Sequence, residues 1–390
     1  MINQISRFSF PTQVSFGPGA VRQLHEHLGE LGIVRPLVVT DPGLKKSGVL
    51  AVVEAMLEES GTAFTLFSGI EANPGEANVE NALYAFRRGN CDGVIGLGGG
   101  SSLDVAKVVS VLAANKGPLA RYDVRDGGNT SIKGPLSPVI AIPTTAGTGS
   151  EVGRCSVITS ESLERKFMIC HPLMMPKMAI LDPELTVGLP ATITAYTGMD
   201  AFTHNLEALT VRVFHPMCDA IALKGIELVA QNLECAVKNP EDLSARGYMM
   251  IAAMMGAVAF QKDLGAAHSL SHALSAVCGM QHGMANAICI VPVMRFNMEV
   301  AAAEYALVAR CFGINTFDMP EREAAGKAIE AVAEINKRIG IPVSLAQAGV
   351  KKEQLALLSK KAFEDACHLT NPRSCTKEEL LMIYKEAYGG

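Results

Sequence analysis

Several features that would decide the class of this 390-residue chain are missing from it. None of its ten cysteines forms a CxxC pair, and thiols scattered through so long a sequence read as buried and reduced rather than as a disulfide framework. Basic residues number 34 and acidic residues 39, interspersed, so there is no basic patch for nucleic acid or an anionic membrane surface. The most apolar run, Tyr248 to Phe260, is 13 residues long, against the roughly 20 that a membrane span requires. It reads as a buried central helix whose methionines fill the core. The N-terminus lacks a charged segment followed by an apolar stretch, so no leader is expected and a cytoplasmic location follows. Internal repeats and low-complexity segments are absent too, and beyond Pro190 so are strand signals.

The first half alternates short β-branched runs with helical segments, the pattern of a parallel α/β layer. Strands are expected at Val14 to Phe16, Pro36 to Thr40, Ala63 to Phe67, Gly93 to Leu97 and Pro138 to Pro143. Helices are expected from Ala20, near Val49 to Glu59 and near Ala77 to Arg88. From Pro190 the chain reads as helical to its end. Asp318 with Glu321 marks the start of one helix that Gly340 and Pro342 close, and Thr376 with Glu379 forms a capping box before the last. The expected division is an α/β domain over 1–189 and an all-helical domain over 190–390, since Pro190 suits a first helical turn.

Four potential metal ligands fall in the helical half: Asp200, His204, His268 and His282. Asp200 and His204 stand four apart in a run of helix formers, so both leave one helical face. A continuous helix would separate His268 from His282 by about 21 Å at roughly 1.5 Å per residue, too far for two ligands of one ion. The chain must bend between them, and Gly279 is the natural stop. Three imidazoles, one carboxylate and no thiolate suit a divalent ion, Fe(II) or Zn(II).

Three polar loops follow strands of the α/β half. Gly96 to Lys107 (GLGGGSSLDVAK) leaves a strand and enters a helix, so its N–H groups and helix N-terminus can hold a pyrophosphate, although Ser101 stands where a GxGxxG fingerprint has its last glycine. Asp41 ends a strand where a carboxylate accepts ribose hydroxyls and repels a 2′-phosphate, which favours NAD over NADP. The same residue also suits a plain turn before Pro42. Pro143 to Glu151 (PTTAGTGSE) supplies threonines, a serine and glycines at a third strand end.

With GGGSSLD, PTTAGTGSE, ILDPELTVGLPATITAYTGMDAFTHNLE and HSLSHALSAVCGMQHGMANAI all present, the chain resembles the iron-containing (class III) alcohol dehydrogenase family over nearly its whole length. Lactaldehyde reductases and propanediol dehydrogenases are similar in all four places. The resemblance implies an N-terminal dinucleotide-binding α/β domain, an all-α metal-binding domain of the dehydroquinate synthase-like two-domain design, and a cleft between them. It implies that Asp200, His204, His268 and His282 ligate the metal. Asp41, Gly99, Gly100, Ser101, Thr144, Thr145 and Thr148 would contact the cofactor, joined less specifically by Asn73, Lys166 and Leu181. His272 matches the family's non-ligand histidine near the nicotinamide, and His368 lies in a segment placed near substrate. A homodimer or larger homo-oligomer is expected on the same ground.

The activity implied is hydride transfer between nicotinamide and a small alcohol, diol or hydroxy acid, with an ion that polarises the substrate oxygen. His272, one turn from His268, either relays the proton or only orients its neighbour. Arg154, just past the PTTAGTGSE loop, either recognises an anionic substrate group or is an ordinary arginine, paired with Glu151 or exposed on a hairpin. The alternative activity is a dehydroquinate synthase-like lyase that uses NAD transiently, and such an enzyme needs basic residues for a phosphate substrate that the helical half shows only sparsely.

Overall fold

The computed structural model describes residues 12–160 and 165–389. They form two compact units: one runs to Thr145 and resumes over Gly149–Gly188, and the other joins Ala146–Thr148 to the chain from Leu189 onward.

The first unit is built on six parallel strands, β1 (Gln13–Phe16), β2 (Pro36–Val39), β3 (Thr65–Phe67), β4 (Gly93–Gly98), β5 (Val139–Pro143) and β8 (Met178–Leu181), in the order β1-β8-β5-β4-β2-β3. Successive residues of a strand face opposite sides of a sheet. Here both sides are sealed: Leu37 and Val39 enter one apolar cluster with Val105 and Val109, while Val38, Ile95 and Leu97 enter another with Leu24, Leu50 and Val53. Burial on both faces explains why these strands read as continuous apolar runs. The covering helices are α1 (Leu24–Glu30), α2 (Pro42–Ser47), α3 (Val49–Glu59), α4 (Glu76–Arg88) and α5 (Gly100–Ala114).

The sheet grows from β2 to its neighbour β3, and the chain then returns across β2 to β4 and on to β5. The order therefore reverses between β2 and β4, and in such sheets ligands bind beyond the carboxyl ends of the strands at that reversal. Asp41 follows β2, Gly99 to Ser101 follow β4, and Thr144 follows β5.

Three local expectations differ in this unit. The helix expected from Ala20 begins as a 3-10 turn (Ala20–Gln23) before α1. An antiparallel hairpin, β6 (Cys155–Ser160) with β7 (Arg165–Cys170), interrupts the parallel pattern and was not foreseen. Its register sets Cys155 opposite Cys170, and the two are joined as a disulfide. This corrects the expectation of reduced thiols for that pair, because cross-strand partners 15 residues apart leave no local spacing signature. The eight other cysteines are free.

The second unit contains α6 (Ala191–Thr210), α7 (Pro216–Lys238), α8 (Leu243–Ala259), α9 (Ala266–Cys278), α10 (His282–Cys311), α11 (Glu321–Arg338), α12 (Leu355–Glu364) and α13 (Lys377–Tyr388). One apolar cluster runs through it, drawing on α6 to α13. The segment Leu243–Lys262 is long and apolar enough to cross a membrane, yet 56% of its most apolar window is buried inside the protein, as befits the core helix read from its sequence. α9 ends at Gly279, whose φ of 64° is the left-handed cap that lets the chain turn before α10. The capping box of Thr376 and Glu379 is formed in both directions, at 3.2 and 2.9 Å. α11 instead opens at Glu321 behind Pro320, so Asp318 is not its cap.

Candidate active site

α6 carries Asp200, His204 and Glu207 on one face, at spacings of four and three residues. α9 carries His268 and His272, also four apart, and α10 begins with His282. The first turn of α10 lies hard against α6: a side chain on Gly283 would start 2.2 Å from the Tyr196 carbonyl oxygen, so only glycine permits the approach. That contact delivers His282 to Asp200.

The Asp200 carboxylate lies at the centre of three imidazoles. Its Oδ2 is 3.9 Å from His204 Nδ1, and its Oδ1 is 3.9 Å from His268 Nε2 and 3.4 Å from His282 Nε2. Donors about 2.1 Å from a common ion stand about 3.4 Å apart at the tetrahedral angle, so this spacing suits a single divalent cation. Asp200, His204 and His268 are buried, whereas the His282 side chain keeps 25% of its exposure, so the cluster opens on the His282 side. His204 Nδ1 is buried without a hydrogen-bond partner, which is costly unless something else binds it. An oxygen and imidazole donor set with one orphaned lone pair fits an ion such as iron(II) or zinc(II).

Burial holds both inner imidazoles neutral. It pushes His204 and His268 down to about 4, against the opposing pull of Asp200. Neutral rings are what a metal requires.

Three residues that the sequence reading missed orient these donors. Glu207 Oε2 lies 2.6 Å from His268 Nδ1, and its Oε1 accepts the Ala267 N–H at 2.7 Å. With Nδ1 engaged, His268 turns Nε2 toward Asp200. Burial pushes the Glu207 carboxyl up to about 7, resisted by backbone donors at Gly265 and Ala267. Asn286 donates its amide N–H to Asp200 Oδ1 at 2.7 Å, with His268 Nε2 and His282 Nε2 each 3.3 Å from the same nitrogen. Ser271 Oγ lies 3.2 Å from His282 Nδ1. Glu207 follows His204 by three residues and Asn286 follows His282 by four, so extending each helical face from a suspected ligand would have found both.

His272 stands beside this cluster. Its ring stacks on His282 with centroids 5.3 Å apart, and its Nδ1 lies 3.0 Å from Asp365 Oδ2. Burial pushes the Asp365 carboxyl up, but the charge and hydrogen bond of His272, with donors at Cys367 and Ser269, outweigh it and hold that carboxyl well below the usual range. Asp365 is 93 residues from His272, and nothing in the sequence pairs them. His368 is buried, with Nε2 3.0 Å from the Phe363 carbonyl oxygen and its ring stacked on Phe363, which gives it a local role.

In the α/β unit, Asp41 does two things. Its Oδ1 caps α2, accepting the N–H of Gly43 at 2.8 Å and of Leu44 at 3.2 Å, as the turn reading requires. Its Oδ2 faces Gly98, where an added side chain would start 3.3 Å away. Gly98 has φ of 145°, a conformation that favours glycine and keeps the strand end bare. Gly99 caps α5, Gly100 and Ser101 form its first turn, and Ser101 Oγ is tied to the Ala72 carbonyl at 2.8 Å. The Thr144 N–H bonds the Gly98 carbonyl at 3.0 Å, and Thr145 Oγ1 is 3.4 Å from where a Gly99 side chain would begin. The β2, β4 and β5 loops are thus neighbours, and Asp41, Gly99 and Thr144 come from successive strands of the sheet.

Asn73, Lys166 and Leu181 also belong to the α/β unit. Asn73 is exposed in the turn before Pro74, whose carbonyl accepts the N–H of Thr159, and Thr159 pairs with Lys166 across the hairpin. Leu181 is buried at the end of β8. Thr148 belongs with the helical unit, beside Gly147, where a side chain would strike Thr197 at 2.8 Å. Arg154 is exposed just before the β6 hairpin strand, as one of its expected placements has it, while the charge acting on buried Glu151 is that of Lys107, which corrects the other, a pairing of Arg154 with Glu151.

Two sequence families match the chain: "Iron-containing alcohol dehydrogenase" over residues 11–183 and "Fe-containing alcohol dehydrogenase family, C-terminal" over residues 194–388. An NAD-dependent methanol dehydrogenase from Bacillus methanolicus is 37% identical over 384 residues, covering 98% of this chain and 100% of the relative. A 4-hydroxybutyrate dehydrogenase from Cupriavidus necator is 38% identical over 386 residues, covering 96% and 98%. The solved structure of a 1,3-propanediol oxidoreductase superposes with a TM-score of 0.95 at 36% identity, over 99% of this chain and 100% of the other.

Proposed function

Because the chain belongs to the iron-containing alcohol dehydrogenase family, we propose that it interconverts a small primary alcohol, diol or hydroxy acid with its aldehyde by hydride exchange with NAD, using a divalent ion held by Asp200, His204, His268 and His282. Iron(II) is the ion proposed, with zinc(II) as the alternative. The observation that carries this reading is the convergence of three imidazole nitrogens on one buried carboxylate.

When bound, the ion supplies Lewis acidity that polarises the alcohol or aldehyde oxygen. The remaining work falls to the chain. Glu207 fixes the His268 ring through Nδ1, Ser271 engages His282 Nδ1, and Asn286 aims the Asp200 carboxylate, so the donors are in place before loading. The dinucleotide, when bound, would supply the hydride acceptor for the alcohol carbon, and the oxidation also frees the hydroxyl proton. His272 takes that proton and passes it to solvent, and it returns one when the aldehyde is reduced. The loops at Asp41, Gly99 to Ser101 and Thr144 to Thr145 would hold the dinucleotide, the α5 N-terminus serving its pyrophosphate and the Asp41 carboxylate its ribose hydroxyls. Thr148, Asn73, Lys166 and Leu181 are proposed as further contacts.

The test is a panel of small alcohols, diols and hydroxy acids run anaerobically with Fe(II) or Zn(II) and with NAD or NADP. Net NADH should accumulate with at least one small primary alcohol. No turnover across the panel would leave a nucleotide-binding protein with a structural metal, and oxidation without net NADH would indicate a lyase cycle. Assembly as a homo-oligomer in the cytoplasm belongs to the same proposal, and light scattering on the purified protein reads the oligomeric state.

A further inference from the structure

α9 presents two histidines one turn apart, and each gives its Nδ1 to a carboxylate from elsewhere in the helical unit. For His268 the partner is Glu207 of α6; for His272 it is Asp365, just beyond α12. The first pair belongs to the proposed ion site. The second does not, because His272 is not among the donors around Asp200, and its carboxylate needs another explanation.

Asp365 is fully engaged. Its Oδ1 accepts the Ser269 hydroxyl at 2.8 Å and the Cys367 N–H at 2.9 Å, and its Oδ2 faces His272 Nδ1 at 3.0 Å. Ser269 Oγ in turn accepts the His368 N–H at 2.8 Å, which ties the 365–368 segment to α9. An ionised carboxylate is acceptor-only, so it selects the His272 tautomer with the proton on Nδ1 and the lone pair on Nε2. We propose that Asp365 is the positioning residue for His272, fixing its ring and tautomer so that Nε2 is the atom that exchanges the substrate proton. The inference rests on the dehydrogenase reading, in which His272 moves that proton.

Asp365→Asn separates positioning from packing, because the new side chain has nearly the same shape. The Cys367 N–H is a fixed donor and the Asn oxygen must stay opposite it, so the amide NH2 is turned toward His272 Nδ1. Donation there forces the proton to Nε2, the opposite tautomer. Wrong-tautomer substitutions in His-carboxylate pairs cost rate while geometry survives.

The experiment uses the full-length zinc-loaded enzyme with 15N-labelled histidine. Nitrogen chemical shifts report the His272 tautomer without turnover: Nδ1–H in the native protein and Nε2–H in Asp365→Asn are expected. In parallel, kcat should fall at least about 10-fold in Asp365→Asn, the scale of orienting residues, with KM and bound metal unchanged. Asp365→Glu should recover part of the rate. Adding Asp365→Asn to His272→Ala should cost nothing further, because the two act as one unit. An unchanged tautomer, or additive losses accompanied by metal loss, overturns the inference. If His272→Ala itself retains full rate, the proton role of His272 fails whatever the tautomer; if that variant is slow while Asp365→Asn is fast, only the role of Asp365 fails.

Discussion

Glu207 Oε2 and His268 Nδ1 lie 2.6 Å apart, a buried carboxylate–imidazole contact that decides which nitrogen of His268 faces Asp200. Removing the carboxylate leaves a buried ring free to turn and a backbone N–H at Ala267 without its acceptor. We expect Glu207→Ala to weaken divalent binding by about 10- to 100-fold, with kcat recovering at saturating metal. Asp200→Ala should lose metal and turnover together at any concentration. Metal titration of the stripped protein, read by ion analysis beside activity, distinguishes the two.

Asp41 combines a cap with a free carboxylate oxygen, and the two uses separate by substitution. Asp41→Asn keeps an oxygen for the α2 N–H groups but removes the charge, so the melting temperature should hold while the preference for NAD over NADP shrinks about 10-fold or more. Asp41→Ala should lose the preference and also about 1 kcal/mol of stability. Ratios of kcat/KM for the two cofactors, with melting curves, check this. An unaltered cofactor ratio in Asp41→Asn would confine the residue to capping.

Glu151 is buried beside Lys107, and burial pushes its carboxyl up to about 7 despite its own backbone hydrogen bond and the lysine. A carboxyl raised above its unfolded value contributes stability that is complete below about pH 4.5 and is lost as pH rises through about 7. Glu151→Gln removes that titration. The stability of the native protein relative to Glu151→Gln should therefore decline from pH 4.5 to pH 8 by on the order of 2 kcal/mol, measured by denaturant unfolding at each pH. A difference flat with pH would show that Glu151 ionises freely.

Arg154 is exposed on the chain that enters β6. If it recognises an anionic group, Arg154→Ala should lower kcat/KM for a hydroxy acid by about 10-fold while leaving a neutral diol of similar length within twofold. Equal effects on both substrates remove it from recognition.

Much of this was legible in sequence because it depends on local periodicity. β2, β4 and β5 fall within a residue or two of their expected spans, and the boundaries of α3 coincide with those expected. Asp200 and His204 share a face because a helix repeats nearly every four residues, and Gly279 ends α9 for the reason its type implies. What was not legible depends on partners far apart in sequence. Asp365 meets His272 across 93 residues, and Cys155 meets Cys170 only because a hairpin register sets them opposite. The helix start expected at Asp318 failed for a simpler reason, since Pro320 supplies the start of α11 without a side-chain cap. Glu207 and Asn286 fall between these cases, because helical spacing was sufficient once their neighbours were suspected.

Asp200, His204 and Glu207 share one uninterrupted helix, α6, so their common orientation depends on the residue count between them. Each residue advances a helix by about 100°, so one inserted or deleted between positions 200 and 207 would swing Glu207 away from His268 even if every side chain were retained. This short piece of α6 acts as a fixed ruler. Between these two positions the spacing itself decides which side chains meet.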